Sequence, residues 1–436
     1  MTSGSYNIAN DRAQYDWLTI LLYLLFCTIG IFTIYSSVYE QGAEWFDFSM
    51  PYAKQLVFFG VSLLVGLVII YTETNVFFHL AYVVFGLVLL LTLGTFFFGA
   101  NVNGAQAWYK IGSIQLQPAE FAKLGAVLGL AKYLGTYGVR LDTWKSYLFA
   151  SIFLILPMAL VLAQNDTGSA LVFLSLIFVF YRFGLPGVFL GIGFSFIIVF
   201  IALMTTSQMD TWMFLPPKVT IVLIILILLL AIGYLMRLRK NGWVIMTVLY
   251  IAYLGFTFGV DAAYDQLKGY QKRRIELIFG LIEDRRGTGY NLWQSKVAIG
   301  SGQITGKGFL NGTQTKLKFV PERSTDYIFC TYAEETGFLG SALFIILYIY
   351  FLYRIVIMAE RQRTRFARAY GYGVFSIFLF HFLINIGMTM GIVPTIGIPL
   401  PFISYGGSSL LAFTILLFIF IKLDGNRGNE VSVDLD

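Results

Sequence analysis

The sequence predicts an all-α fold, a polytopic integral membrane helix bundle of about twelve spans, with one large loop outside the cytoplasm. Three observations predict it. Hydrophobic residues make up 58% of the 436 positions and charged residues only 12%, with a mean hydropathy of +0.75. A soluble domain carries about 25% charged residues, so this chain lacks the charge to cover a water-facing surface. Apolar runs of roughly 17 to 25 residues recur along the chain, long enough at about 1.5 Å per residue to cross a hydrocarbon core of roughly 30 Å. The basic residues between those runs are also unevenly placed, as when one side of a membrane retains Lys and Arg.

The runs fall at 16–38, 53–71, 75–98, 119–136, 144–163, 167–183, 185–206, 217–237, 242–264, 326–358, 367–394 and 401–423. The first is too long for a signal-peptide core and no small-residue cleavage site follows it, so it reads as a retained signal anchor. With the N-terminus inside, the cytoplasmic junctions hold Arg140, Lys145, Arg182, Arg237, Arg239, Lys240, Arg361, Arg363, Arg365 and Arg368. These are short loops, the kind that the positive-inside rule governs. The opposite junctions carry little beyond Lys54, Lys110 and Lys218, apart from 265–325, which holds eleven basic residues. Long loops cross the membrane largely regardless of charge, so the topology stands. The net charge of +6 is therefore less informative than its placement. Cys27 and Cys330 sit in apolar runs and His79 and His381 are the only histidines, which argues against a disulfide framework, a zinc centre or a His-based triad.

Loop 265–325 is the most informative stretch. Its glycines at 287, 289, 300, 302, 306, 308 and 312 permit turns and close backbone approach to a ligand. Its basic residues serve either as a solvated surface or as an anion site. A P-loop is excluded by spacing, because Gly302 and Gly306 enclose too few residues and Lys307 is followed by Gly308. The loop ends on Pro321, Glu322, Arg323, Ser324, Thr325 and Asp326, after which an apolar helix begins at Tyr327. Asp326 is either the cap of that helix or a general base at the membrane surface. Further along the same helix, Glu334 and Glu335 lie about 12 Å deeper, within a span, where acids are functional candidates.

Three further polar features interrupt the apolar runs. Gln164, Asn165, Asp166, Thr167 and Gly168 form a turn between helices. Glu120 and Lys123 share a helix face, either as an internal ion pair or with Lys123 spared for a substrate phosphate. Pro394, Pro399, Pro401, Gly406 and Gly407 break the helix near the C-terminus, as a packed hairpin or as a cavity wall.

At these residues the chain resembles the SEDS family, the shape, elongation, division and sporulation proteins that polymerise bacterial cell-wall glycan. The resemblance runs from about residue 16 to 423 and rests on Gln117 to Lys123, the QNDTG turn, QSKVAIGSGQITGKGFLNGTQTKLKFVPERSTDYIF and IPLPFISYGGSS, in the family's order. The GTQ and PERSTDYIF wording is closer to the rod-shape elongation branch than to the division branch. The resemblance implies a peptidoglycan glycosyltransferase that joins lipid II into glycan and releases undecaprenyl pyrophosphate at the outer face of the bacterial cytoplasmic membrane. It implies Asp326 as the catalytic carboxylate, with Glu120, Lys123 and Asp166 as functional polar residues. It also implies a class B penicillin-binding protein as the crosslinking partner, contact with membrane lipids, and no nucleic acid.

Two departures stand out. The family often has Arg in a G-A-x-R-W sequence, where this chain has Ala107, so a positive contact is lost there or taken over by Lys110. The family usually has ten spans, so 217–264 reads as an extra helix pair. In the mechanism expected, Asp326 deprotonates an acceptor sugar hydroxyl. Arg273, Arg274, Lys307 and Lys123 are the cations available to the leaving pyrophosphate, and Glu334 joins the substrate-binding set. A divalent cation has a place in such chemistry, but the sequence assigns it no ligands. The rival readings are a transporter of a lipid-linked precursor using Glu120, Asp166 and Glu334, a scaffold that activates a partner polymerase, and the division member of the family.

Overall fold

The computed structural model describes residues 15–428 other than 40–47, 49, 103, 113, 208, 210, 213–214, 236–239, 268, 280, 282–288 and 318. Arg237, Arg239, Arg285 and Arg286 fall outside the described residues. The chain divides into two compact units, one of Met1–Leu185 with Asn291–Asp436 and the other of Pro186–Tyr290.

The first unit opens with α1 (Trp17–Val38), α2 (Pro51–Tyr71) and α3 (Thr74–Phe98). A departure from helix follows: β1 (Ala100–Val102), β2 (Ala105–Ile111) and β3 (Ile114–Leu116) form a small antiparallel sheet in the order β1-β2-β3. Next come α4 (Pro118–Gly135), α5 (Trp144–Ala163) and a broken run made of α6 (Thr167–Val172), a 3-10 turn and α7 (Ile177–Arg182). After the second unit the chain returns with α12 (Tyr290–Ser301), α13 (Thr313–Lys316), α14 (Ile328–Glu360), α15 (Arg365–Met390) and α16 (Gly407–Gly425). The second unit holds α8 (Gly187–Thr205), α9 (Pro217–Leu235), α10 (Lys240–Asp265) and α11 (Gly269–Ile278).

Among the described residues, ten helices are long and apolar enough to cross a membrane. Helix α4 and the broken Thr167–Arg182 run complete the predicted twelve; α4 stands apart because it carries Glu120, Lys123 and Lys132. It is the centre of the first unit, buried on nearly every side and packed against α3, α5, α15 and α16. Small residues allow this. A Cβ at Gly129 would stand 2.5 Å from the Phe153 ring and one at Gly125 would stand 3.3 Å from the Phe85 backbone, so neighbouring helices approach α4 as closely as membrane packing permits. In the second unit α9 and α10 share an apolar core with α8, built on Val199, Leu203, Ile221, Ile225 and Tyr253. The segment 217–264 lies within this second unit, packed with α8.

One end of the first unit is basic and tightly tied. Asp16, at the start of α1, meets Arg354 and Arg361, while Asp424 near the end of α16 meets Arg361 and Arg427. Arg182 closes α7 onto Glu360 at 2.7 Å. Burial opposes ionisation of Asp16, but hydrogen bonds from Thr19 and the charges of Arg354 and Arg361 prevail and hold its carboxyl below the usual range.

Candidate active site

The opposite end of the unit is organised around residues 391–406, which leave helix geometry between α15 and α16. Helix α15 stops at Gly391 in a left-handed conformation (φ 76°). The prolines and Gly397 (φ 67°) keep the following backbone irregular, and its polar groups find partners in protein. Ser404 Oγ accepts from Leu400 N at 2.8 Å and donates to Thr325 O at 2.7 Å, Tyr405 N donates to Ser324 O at 2.9 Å, and Gly406 N donates to Gln55 Oε1 at 3.1 Å. Burial pushes the Tyr405 phenol up, so it stays protonated.

These bonds pin the turn that carries Asp326. The buried Asn385 of α15 donates from Nδ2 to Asp326 O and to Ile398 O, both at 2.8 Å. The half-buried Asp326 carboxylate lies against Gly397, where an added Cβ would stand 3.2 Å from Oδ2. Gly397 is favoured by its positive φ, and an added Cβ there would crowd the carboxylate. The cap position of α14 belongs to Tyr327 and has no side-chain cap bond.

The other predicted polar residues converge on the same segment. Asp166 caps α6, accepting from Ser169 N at 3.0 Å, and its second oxygen accepts from Gln117 Nε2 at 2.8 Å. Beside it Gly168 packs directly on Ile396 O, leaving no room for a Cβ. Lys123 Nζ lies 2.7 Å from Glu120 Oε2 and 3.0 Å from His381 Nε2, and stands 5.1 Å from the centre of the Phe413 ring. The other ring nitrogen of His381, Nδ1, lies 2.9 Å from Pro399 O, a pure acceptor. Nδ1 therefore carries the proton and Nε2 accepts from the Lys123 ammonium. Glu120, Lys123 and His381 are all buried. Asp326, Gly168, Asn385 and His381 thus each touch one of the consecutive positions 396–399.

His381 and Asn385 had no place in the expected site. The available signal was two polar side chains four residues apart on one face of an apolar helix, a pattern that marks a functional face in a membrane.

Glu334 and Lys307 lie elsewhere, and the helix that carries the two acids is broken just after them. Helix α14 breaks at Gly337 (φ 66°, ψ −164°). Phe329 and Phe344 have ring centres 6.1 Å apart, and Tyr332 Oη donates to Gly340 O at 3.3 Å. A straight helix would separate positions 329 and 344 by about 22 Å, so the arm 328–336 folds back on the arm that follows. Residues 338–360 alone span about 34 Å, enough to cross a bilayer, and Glu334 and Glu335 precede the break. The freed backbone groups are taken up by the loop: Lys307 N and Gly308 N donate to Glu334 O and Glu335 O, while Phe338 N and Leu339 N donate to Gln303 O and Ile304 O.

The Glu334 carboxylate accepts from Lys307 Nζ (2.7 Å), Gln314 N (2.9 Å), Thr315 N (3.0 Å) and Thr315 Oγ1 (2.6 Å). Lys307 spends its remaining donors on Ser301 Oγ and Thr313 Oγ1, at 2.7 and 2.6 Å. Both residues are saturated by the loop that they hold. Glu335 likewise meets Ser36 and Leu310 N. Arg273 is an exposed residue of α11 in the second unit, and the Arg274 side chain lies outside the described residues. Ala107 is completely buried whereas Lys110 is exposed, so Lys110 does not occupy the place of an arginine at 107. Among the described residues no group of three or more His, Cys, Asp or Glu side chains could hold a metal ion, so the allowance for a divalent cation finds no ligand set there.

A family model for the FtsW/RodA/SpoVE cell cycle proteins matches residues 16–215 and 211–429. The chain belongs to that family. The peptidoglycan glycosyltransferase RodA of Treponema pallidum is 31% identical over 436 aligned residues, covering 95% of this chain and 98% of the relative. The peptidoglycan glycosyltransferase MrdB of Escherichia coli K12 is 32% identical over 76% of this chain and 74% of its own length. Solved structures share the fold. A chain from a peptidoglycan synthase complex that coordinates polymerization and crosslinking superposes with a TM-score of 0.67 at 24% identity, covering 95% of this chain and 99% of that one. The rod shape determining protein RodA of Thermus thermophilus gives 0.59 at 23%, covering 95% and 97%. Within the family this chain is most similar to the RodA proteins, and it is a multi-pass membrane protein.

Proposed function

We propose that this chain is a peptidoglycan glycosyltransferase of cell elongation, which polymerises lipid II with Asp326 as its general base. The observation that carries the reading is the convergence of Asp326, the Lys123–His381 pair and the Asp166 turn on residues 396–399. An Asp326 oxygen takes the proton from the 4-hydroxyl of the acceptor N-acetylglucosamine. The resulting oxygen attacks the anomeric carbon of the donor N-acetylmuramic acid. The bond to undecaprenyl pyrophosphate breaks with inversion, and negative charge passes to the leaving pyrophosphate. Lys123 is fixed by Glu120 and His381 at no further reorganisation during reaction, the condition under which a buried charge stabilises a transition state best.

The basic end, with Arg354, Arg361 and Arg427, faces the cytoplasm of a bacterial cell, and Asp326 faces outward. A class B penicillin-binding protein supplies crosslinking, a partnership supported by the likeness to a chain of a peptidoglycan synthase complex. The transporter reading weakens because Glu334, one of its proposed carriers of charge, is bound on every side by the loop and precedes the spanning arm. The test is lipid II polymerisation by the purified chain alone. Glycan strands are expected without any partner; strands that form only when a partner polymerase is added would leave this chain as a scaffold.

A further inference from the structure

Three helices and the irregular segment meet at one imidazole. His381 of α15 is wholly buried, and its ring packs edge-on against Phe413 of α16, with centres 4.9 Å apart at 80°. Nδ1 donates to Pro399 O at 2.9 Å and Nε2 accepts from Lys123 Nζ at 3.0 Å, so each nitrogen serves a different part of the chain. Helix α15 approaches α4 closely enough for this, since a Cβ at Gly373 would stand 2.5 Å from Val127 Cγ1. An apolar residue would fill the same space without burying two polar nitrogens beside a charge, so packing alone does not account for a histidine there.

What the imidazole adds is direction. Lysine carries three N–H donors on a flexible stem. With two of them bound, at Glu120 Oε2 (2.7 Å) and His381 Nε2, the tetrahedral nitrogen of Lys123 aims its third N–H one way, and no acceptor for that N–H is found among the described residues. Through Pro399 the same ring is tied to the segment in which Gly397 lies against the Asp326 carboxylate. One turn further along α15, Asn385 holds both Ile398 O and Asp326 O.

We propose that His381 is a positioning residue, which holds the Lys123 cation in register with Asp326 so that its third N–H meets the departing pyrophosphate. This role rests on the polymerase reading and adds to it a second polar residue on which the rate depends without touching the substrate.

The experiment uses the full chain in nanodiscs with lipid II. His381→Gln places an acceptor near Nε2 and keeps the Lys123 bond, whereas His381→Asn places a donor near Nδ1 and keeps the Pro399 bond. Each variant loses one bond, so their Tm values should fall by similar amounts. Their rates should differ: kcat within roughly threefold of wild type for His381→Gln, and roughly 10- to 100-fold down for His381→Asn, the range seen when the partner that orients a functional group is removed. KM should stay unchanged in both. A spectroscopic measurement reads the link directly. The chain has only two histidines and His79 is exposed, so labelling histidine with heavy nitrogen gives one reference signal and one reporter by NMR. His381 should show a protonated Nδ1 and a bare Nε2, and only the Nε2 signal should move when Glu120→Gln and Lys123→Met are combined.

Equal kcat for the two His381 variants, or losses of rate that follow Tm, would overturn the positioning role. A protonated Nε2, or an Nε2 signal indifferent to the loss of Lys123, would overturn it as well. A wild-type protein that shows the expected signals but makes no glycan would instead overturn the polymerase reading and leave the Lys123–His381–Pro399 link standing.

Discussion

Asp326→Asn isolates the proton-accepting function of one carboxylate. Asparagine keeps the size of the side chain, and its amide still fits beside Gly397, where the nearest approach of an added Cβ to Oδ2 is 3.2 Å. The turn is held through backbone groups that the substitution leaves alone: Asp326 O bound by Asn385, Thr325 O by Ser404 and Ser324 O by Tyr405 N. The cap position of α14 is Tyr327, and asparagine keeps most of the capping ability of aspartate. Stability should therefore change by less than about 1 kcal/mol. Catalysis should fall by roughly 10² to 10⁴, the range for removing a general base. At 1.36 kcal/mol per decade that is about 3 to 5 kcal/mol of transition-state stabilisation. The assay is lipid II polymerisation by purified protein, with thermal unfolding and substrate binding measured on the same preparation. Near-normal polymerisation by a well-folded variant would refute the assignment of Asp326. A loss of rate accompanied by a Tm drop of many degrees would show that the carboxylate holds the turn instead.

Three other expectations follow from the geometry. Gly337→Ala places a Cβ on Gly306 N at a positive φ, so it should destabilise by several kcal/mol and expose the 302–316 loop to protease; wild-type protection of that loop would show that the break tolerates a side chain. Lys123→Met leaves Glu120 buried without its cation and should cost about 3–5 kcal/mol, whereas Glu120→Gln with Lys123→Met should regain most of that stability but not activity; a fully active double variant would reduce the pair to packing. For Asp16, whose folded carboxyl titrates below its ordinary value, the stabilisation is present above the ordinary carboxylate range and is lost as pH falls through the folded value. Unfolding temperatures of wild type and Asp16→Asn should accordingly differ at neutral pH and converge in acid, and a gap that stays constant with pH would remove the linkage.

Much of this protein was legible before any coordinates. Apolar run length alone places the spanning helices, because a bilayer imposes one length on every crossing and hydropathy is a property of each residue in turn. The same local logic marks Asp326, Glu120, Lys123 and Asp166, since charge inside or beside an apolar run has few bland explanations. It fails wherever backbone direction matters. Hydropathy is the same for a straight helix and a folded one, so the apolar stretch around Gly337 reads as a single straight helix, whereas its two arms fold back on each other. The small sheet at 100–116 is likewise a matter of pairing between strands too short to announce themselves.

Only the tertiary structure brings together residues far apart in the chain. Lys123 and His381 are 258 positions apart, yet a single hydrogen bond joins them, and Pro399 completes the contact from an irregular segment. The loop's basic residues show the reverse. Charge made Lys307 a candidate for pyrophosphate, but its donors are occupied by Glu334, Ser301 and Thr313. Residue type and spacing state which chemistry a side chain is able to perform. Whether its hydrogen-bonding capacity is already filled depends on which distant groups packing brings within about 3 Å, and that distance is set by the fold.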